Sequence, residues 1–245
     1  MFEVWKFKDI FTSVSAPVQK YLRVQNNLLS TGIESLDRLM DGIADNSTLE
    51  IYGWEGVGKT SLCLQLLNAV PSTVVLYWDL DHTFDTAYAA KMVTDYERVV
   101  LVQGKQIDAF RKIYNQLYHD IGRDQIVVVI DSIANILQII DEHNIEQVEK
   151  LLIYIRKHCK LLIWTNQYRE YRVGRIKVRE LYYHKLTQEL ADQRIGLHIE
   201  RELEGDEIED KDNIIGMRIT VDVIKNLYGM LRSGNVKFIF NKGFV

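Results

Sequence analysis

The sequence predicts an α/β domain whose mostly parallel, twisted sheet is flanked by helices and carries an antiparallel extension near its C-terminus. The first observation is a series of short, continuous apolar runs at 49–52, 74–79, 99–102, 126–130 and 161–165. Such runs are typical of strands that are covered on both faces. The second observation is helical periodicity between the runs, and the third is a change to period-two alternation after residue 190.

Each further element follows from its own residue pattern. Apolar stripes at helical spacing run through 107–121 and 145–155, so we expect a helix at each. After residue 190, polar turns separate alternating segments at 194–202, 218–225 and 236–241. We predict that these segments pair antiparallel at one edge of the same sheet, because alternation is typical of strands with one solvated face.

The chain is expected to form one core domain over 28–245, because no low-complexity linker or internal repeat divides it. Residues 1–27 are predicted to form an N-terminal arm that serves oligomerisation. Its aromatic residues Trp5, Phe7 and Phe11 either anchor the arm on a neighbouring protomer or pack on the core of their own chain.

Composition limits the possible classes of protein. The 245 residues carry a net charge of −4, so any contact with nucleic acid must use a local basic patch. Cys63 and Cys159 lack the spacing of metal ligands and are predicted to be core thiols in a reducing compartment. We find no signal-peptide pattern and no run of about 18 apolar residues. We therefore expect a cytoplasmic protein without a membrane partner.

A phosphate-binding loop is predicted between the first apolar run and the helix that follows it. The segment GWEGVGKT at 53–60 fits the pattern GxxxxGK[ST] in the strand–loop–helix context that the motif requires. Backbone N–H groups there attract phosphate, Lys59 adds a positive charge, and the Thr60 hydroxyl suits Mg²⁺. The nucleotide contacts expected from this segment are Gly53, Glu55, Gly56, Val57, Gly58, Lys59, Thr60 and Ser61.

Three aspartates lie at the ends of later apolar runs. Asp131 closes the run at 126–130, and a carboxylate at the carboxyl end of a strand can hold Mg²⁺ beside the phosphate loop. Asp79 ends the run at 74–79 and Asp81 follows two residues later, so they would point to the same or to opposite faces according to whether the strand continues. We expect one of them to face the nucleotide and to orient an attacking water, whereas His82 is expected to be a packed or surface residue.

The ordered set of motifs resembles the RecA/RadA family of recombinases. The matching segments are LLSTGIESLDRLMDGI before the loop, YWDLDHTFDTAYAAKM, IVVVIDSIANI, LLIWTNQYRE, ITVDVIKNLYG and VKFIFNKGF. They occur in the family's order and at similar spacing over roughly residues 28 to 244. Each piece is weak alone, but the ordered set is specific.

The resemblance implies a RecA-like P-loop ATPase core that uses ATP and Mg²⁺, with ATP held between protomers of a helical filament. Asp81 takes the position of the family's catalytic glutamate. Asp85 would hydrogen-bond the adenine and Tyr88 would stack on it. Gln167 would sense the γ-phosphate and relay its presence to a DNA-binding loop, and Lys225 would reach the neighbour's phosphates across a subunit interface.

Several positions depart from the family pattern. Asp81 is one methylene shorter than glutamate, so hydrolysis is expected to be slow. Leu227 stands where bacterial RecA carries a second lysine, and Thr86 replaces a proline. The segment after Asp131 runs almost directly into the helix predicted at 145–155, so the first DNA-binding loop looks shortened or absent.

The family's glycine-rich second loop is replaced by a basic segment at 168–185. It carries six Lys or Arg and two Glu, with tyrosines interleaved, a composition that suits single-stranded DNA. The alternative is a solvated loop with incidental charge. An acidic segment at 200–212 is predicted to be an exposed turn. The candidate DNA contacts are Arg169, Arg172, Arg175, Lys177 and Arg179.

Three functions are compatible with these features. The first is a DNA-dependent, recombinase-like ATPase that binds single-stranded DNA in homologous recombination and repair, as a homo-oligomer or filament. The second is a weakly hydrolysing paralogue, similar in size to archaeal RadB, that acts as a recombination mediator or assembly factor beside a partner recombinase. The third is a ring-shaped motor of the same fold, for which the sequence has no accessory domain or linker.

Overall fold

The computed structural model describes residues 27–139, 145–173, 176–182, 184–203, 216–229, 231–239 and 242–245. The strands are β1 (Leu28–Leu29), β2 (Ile43–Ala44), β3 (Ser47–Gly53), β4 (Val74–Asp79), β5 (Val99–Gln103), β6 (Ile126–Asp131), β7 (Leu161–Val173), β8 (Ile176–Leu181), β9 (Gln193–Leu203), β10 (Gly216–Asn226), β11 (Ser233–Ile239) and β12 (Gly243–Phe244). The helices are α1 (Glu34–Met40), α2 (Lys59–Leu66), α3 (Thr86–Met92), α4 (Ile107–Ile121), α5 (Ile133–Ile139), α6 (Ile145–His158) and α7 (His184–Leu190).

One large sheet organises the described part of the chain, and the predicted α/β fold is confirmed. The strand order is β12-β11-β10-β9-β3-β7-β6-β4-β5, with β8 paired to the outer part of β7. Strands β9, β3, β7, β6, β4 and β5 pair in parallel. Strands β9 to β12 pair antiparallel, which confirms the predicted C-terminal extension.

The sheet is covered on both faces, as the continuous apolar runs predict. Val75 and Tyr77 of β4 face one apolar core, which contains residues of α1, α2 and α3. Leu76 and Trp78 face the other core, which contains residues of α4, α5 and α6. On that second side the Phe110 ring of α4 stacks on Trp78 with ring centroids 4.1 Å apart. The two layers hold the carboxyl ends of the parallel strands at one edge, where ligands bind in this class of sheet.

The basic segment is not the loop that we predicted from its charge. Residues 168–173 continue β7 and pair antiparallel with β8, from Tyr168 opposite Leu181 to Val173 opposite Ile176. We call residues 168–173 together with 176–182 the basic hairpin. Its residues alternate in side-chain direction, as strand residues must, and helix α7 follows directly.

The region after Asp131 also differs from the expectation. Helix α5 begins two residues after Asp131, so the chain does not run directly from β6 into α6. Residues 1–26 of the predicted N-terminal arm, Arg175 and residues 204–212 of the acidic segment lie outside the described residues. In the described part of the chain, no helix is long and apolar enough to cross a membrane.

The centre of the sheet contains a buried ion pair that the sequence patterns did not indicate. Glu50 of β3 is 0% exposed and accepts a short hydrogen bond from the guanidinium of Arg194 of β9, which is 2% exposed. Asn166 of β7 donates to the other carboxylate oxygen of Glu50 at 2.8 Å. The pair therefore joins three adjacent parallel strands.

Removing one partner of this pair is expected to destabilise the fold strongly. Glu50→Leu leaves the guanidinium of Arg194 buried without its carboxylate, and we expect a loss of about 3–5 kcal/mol in the free energy of unfolding. The double variant Glu50→Leu/Arg194→Met buries no charge and should recover most of that loss. Urea unfolding of the wild type, the two single variants and the double variant measures these free energies. A loss in the double variant equal to the sum of the two single losses would contradict the prediction.

Candidate functional site

The phosphate loop lies between β3 and α2 at the middle of the sheet. Gly53 ends β3, and a Cβ at this position would lie 2.5 Å from the carbonyl oxygen of Leu197, so the close approach of β9 requires glycine. Gly58 has a φ of 88°, in the left-handed region that favours glycine, and α2 begins at the next residue. The loop therefore takes the turn that a phosphate-binding motif needs before a helix N-terminus.

The side chain of Lys59 bends back over the loop. Its ammonium donates to the carbonyl oxygens of Trp54 at 2.7 Å and Gly53 at 3.2 Å. Burial lowers the pKa of Lys59, and the nearby carboxylates of Asp131 and Glu55 oppose that shift. A cation held by two carbonyl groups is available to a stronger acceptor, such as a phosphate oxygen.

Asp131 accepts hydrogen bonds from three hydroxyl groups that belong to different elements. Thr60 of α2 and Tyr77 of β4 both donate to one carboxylate oxygen at 2.7 Å, and Thr165 of β7 donates to the other. Thr60 and Asp131 thus meet where the sequence predicts the Mg²⁺ site, and both offer the hard oxygen ligands that Mg²⁺ prefers. Among the described residues no three His, Cys, Asp or Glu side chains converge, so this pair requires further ligands from phosphate or water.

The two aspartates at the carboxyl end of β4 have different environments. Asp79 is buried and accepts from the backbone N–H groups of Thr83 and Phe84 and from the amide of Gln103, so it shapes the turn. Asp81 instead lines the cavity beside the phosphate loop. Burial raises the pKa of Asp81, and the carboxylates of Asp131 and Asp79 raise it further. Asp81 is therefore the aspartate that can act on a water in the cavity.

A cavity of about 430 Å³ brings most of the predicted residues together. Its size is in the range of small-molecule sites. The predicted site residues that line it are Glu55, Gly56, Gly58, Lys59, Thr60, Ser61, Asp81, Asp131 and Gln167. Val57 is 1% exposed in the apolar core, so its side chain faces away from the cavity.

Gln167 connects the cavity with the basic hairpin. It is opposite Gly53 in the register of β7 and β3, and the hairpin begins at the next residue. The backbone N–H of Gln167 donates to its neighbour Asn166 at 2.8 Å, and the N–H of Tyr182 donates to the Gln167 carbonyl oxygen at 3.2 Å. Both ends of the hairpin are therefore fixed next to the cavity.

The charged groups of the hairpin pair with each other. Arg169 donates to Glu180 at 2.9 Å, and Glu170 accepts from Arg179 at 2.9 Å and from Lys177. These hydrogen bonds lower the pKa of both glutamates. Three of the predicted DNA contacts thus have intramolecular partners at the surface, where such pairs contribute little to stability.

Arg172, another predicted DNA contact, differs from the other hairpin cations. It is exposed, lies opposite Lys177, and makes no ion pair within the residues that the structure describes. Its guanidinium is thus the hairpin cation that is most directly available to an external anion.

Three predicted residues occupy other places. Asp85 caps the N-terminus of α3 by accepting from the backbone N–H of Tyr88 at 3.0 Å. The Tyr88 hydroxyl donates to Ser61 at 2.8 Å, so α3 is tied to the phosphate-loop helix. Lys225 donates to the carbonyl oxygens of Gln188 and Ala191 at the end of α7, and burial lowers its pKa. These three side chains do not line the cavity in this conformation.

The sequence analysis missed several residues of the cavity. Thr83, Ser132, Met217 and Phe238 also line it. Phe238 lies in the alternating segment near the C-terminus. The direction of its side chain follows from the pairing of β11 with β10, which the sequence does not give. The Ser132 hydroxyl is buried and makes no hydrogen bond within the described residues.

Comparison with known proteins identifies the family to which the chain belongs. The family model of the RecA N-terminal domain matches residues 13–245. Protein RecA of Arthrospira platensis is 31% identical over 115 residues, which are 46% of this chain and 31% of that protein. Protein RecA of Parasynechococcus marenigrum is 34% identical over 115 residues, which are 46% of this chain and 30% of that protein.

The alignments thus cover less than half of this chain and about a third of each relative, whereas the family model spans nearly the whole chain. The family model covers the phosphate loop at 53–60 and the strands of the large sheet, because both lie within residues 13–245. The chain therefore belongs to the RecA/RadA family.

Proposed function

We propose that this protein is an ATPase that binds single-stranded DNA in an ATP-dependent manner, as an oligomer or filament. It acts in homologous recombination and repair. One observation carries the proposal: Gln167 lines the phosphate-loop cavity and is directly followed by the basic hairpin. A side chain in contact with the nucleotide would therefore be covalently continuous with the proposed DNA-binding element.

The residues of the cavity have distinct roles in the proposed reaction. The loop N–H groups and Lys59 bind the phosphates of ATP, and Thr60 with Asp131 holds Mg²⁺. Bound Mg²⁺ would neutralise charge on the β- and γ-phosphates. Asp81 accepts the proton of the attacking water, and its raised pKa makes it a stronger base than an ordinary aspartate. Gln167 reports the γ-phosphate to the hairpin.

Binding of DNA is assigned to the basic hairpin. DNA phosphates can replace Glu170 and Glu180 as partners of Arg169, Lys177 and Arg179, with release of counterions from the nucleic acid. Arg172 offers an additional cation. The protein as a whole is acidic, so this local patch and not the net charge would attract the strand.

A second candidate is a weakly hydrolysing paralogue that assists a partner recombinase. The observation in its favour is Asp81, whose side chain is one methylene shorter than the glutamate that the family pattern places there. A shorter base holds the water less well in line with the γ-phosphate. The two candidates differ in turnover and not in ATP binding, so kinetics separate them.

The first prediction concerns turnover. We expect ATP hydrolysis that single-stranded DNA stimulates and that Lys59→Ala abolishes, because the loop then lacks the cation beside the phosphates. The matched control is Lys112→Ala, which removes an exposed lysine of α4 away from the site. Steady-state hydrolysis with and without an oligothymidylate measures this. Nucleotide binding without turnover in either condition would favour the paralogue, and absence of nucleotide binding would contradict both candidates.

The second prediction concerns Asp81. Asp81→Asn is expected to lower turnover by about 10²-fold or more, because it removes the general base. The folded-state pKa of Asp81 is raised, so ionisation of this carboxyl opposes folding. The stability present below its ordinary pKa of 3.8, where the carboxyl is protonated, is therefore lost as pH rises through the raised value. The ligand-free Asn variant should therefore melt at or above the wild-type temperature at pH 7, with the difference vanishing in acid.

The Asp81→Glu variant serves as the companion to this test. It restores the side-chain length of the family pattern and should raise turnover above that of the wild type. Turnover retained in Asp81→Asn, or a ligand-free Asn variant that melts clearly below the wild type at pH 7, would contradict the role given to Asp81.

The third prediction separates the intramolecular and intermolecular roles of Lys225. If Lys225 acts on a neighbour's phosphates, Lys225→Ala and Lys59→Ala are each inactive, but their mixture regains turnover, because sites with Lys59 from one variant and Lys225 from the other form. Hydrolysis by the mixture is the measurement. A mixture that stays inactive, together with a lowered melting temperature of Lys225→Ala, would contradict the role between protomers. Lys225 would then only stabilise the end of α7 in its own chain.

A further inference from the structure

Trp54 of the phosphate loop contacts both the loop lysine and the basic hairpin. Its carbonyl oxygen accepts from the ammonium of Lys59 at 2.7 Å. Its ring lies against Tyr168, with centroids 5.1 Å apart, and the guanidinium carbon of Arg179 lies 5.4 Å from the centre of the same ring. One residue therefore touches the cation assigned to phosphate and a cation assigned to DNA.

The hairpin side of this contact rests on a fixed support. Tyr168 packs edge-on against Tyr52 with centroids 5.8 Å apart, and the guanidinium of Arg194 lies 5.5 Å from the Tyr52 ring. Arg194 belongs to the buried pair with Glu50. Because this stack begins at a buried ion pair in the centre of the sheet, we expect a movement of Trp54 to change its contact with the hairpin without displacing the whole stack.

The loop side of the contact is sensitive to phosphate. The ammonium of Lys59 donates to two neutral carbonyl oxygens, those of Trp54 and Gly53. A phosphate oxygen is charged and forms stronger hydrogen bonds with an ammonium than a carbonyl oxygen does. Phosphate in the loop would therefore draw Lys59 away from the Trp54 carbonyl and remove the bond that fixes this peptide group.

The cation–ring contact and the Arg179–Glu170 ion pair act on the same guanidinium. Glu170 holds it from within the hairpin at 2.9 Å, and Trp54 holds it from the phosphate loop. Arg179 is 61% exposed in its side chain, so neither contact is buried and each is individually weak. A small shift of the ring is sufficient to change how available Arg179 is to an external phosphate.

We propose that Trp54 is a positioning residue that links occupancy of the phosphate loop to the state of the basic hairpin. The Trp54 ring holds Arg179 while Lys59 donates to the Trp54 carbonyl. When Lys59 moves to phosphate, the ring releases Arg179. This link is separate from the route through Gln167. The proposal rests on the proposed function in one respect, namely that the released Arg179 binds DNA.

Hydrogen–deuterium exchange of the full chain tests the link without DNA. The amide exchange of residues 168–182 is compared with and without a non-hydrolysable ATP analogue and Mg²⁺. We expect the nucleotide to change exchange in the wild type and in Trp54→Phe, which keeps a ring, and to change it less in Trp54→Ala. Arg179→Gln removes the cation from an exposed position and should resemble Trp54→Ala.

The matched control is Tyr154→Ala, which removes a comparably half-exposed aromatic ring from α6, and its hairpin should respond as in the wild type. Melting temperatures and nucleotide affinities establish that each variant folds and binds. The proposal would be overturned if the nucleotide did not change amide exchange of the wild-type hairpin. It would also be overturned if the nucleotide changed exchange in Trp54→Ala and Arg179→Gln as much as in the wild type.

Binding of a labelled oligothymidylate then separates this proposal from the proposed function. The ratio of affinities with and without the ATP analogue should fall by about two- to fivefold in Trp54→Ala, the range expected for one exposed cation–ring contact. If the wild type binds no DNA in either condition, the proposed function fails, while the exchange result still decides the role of Trp54. An unchanged ratio in Trp54→Ala would contradict the release of Arg179.

Discussion

The buried ion pair of Glu50 and Arg194 is the constraint on which the geometry of the site depends. Neither charge can leave the pair without stranding the other, at a cost of about 3–5 kcal/mol. The pair fixes β3 against β9, and Asn166 fixes β7 on the same carboxylate. This fixes the register of β3 and β7, so the phosphate loop after β3 stays next to Gln167 of β7.

A second carboxylate connects several elements at the proposed metal position. Asp131 gathers hydroxyl groups from α2, β4 and β7, all of them neutral, so its negative charge remains available to a cation. The Thr60 hydroxyl donates a hydrogen bond to Asp131, which leaves its oxygen lone pairs available to a cation. If this pair holds Mg²⁺ as proposed, the fold has already oriented both side chains, which would reduce the cost of ordering them on binding.

The sequence predicted what depends on local pattern and missed what depends on pairing across long distances. Strand β4 and helix α4 have the predicted bounds, because a continuous apolar run and an apolar stripe are local signals. Arg194 lies 144 residues from Glu50, so no window of sequence links them. A loop is predicted at 168–185 because charged residues dominate the segment, whereas in the structure its strands are held by antiparallel pairing that begins at Tyr168. The contact of Trp54 with Arg179 exists only because β7 extends past the sheet.

The internal pairing of the hairpin has a consequence for selectivity. Glu170 and Glu180 neutralise three of its cations, so a weakly charged surface gains little by displacing them. A nucleic-acid strand gains more, because it presents closely spaced phosphates and releases its own counterions on binding. Exposed ion pairs contribute little to stability, so breaking them costs the hairpin little once such a polyanion is present. The glutamates would thus weaken binding of weakly charged surfaces more than binding of a regular strand of phosphates. If Trp54 links Arg179 to the phosphate loop as proposed, this selectivity would depend on the nucleotide.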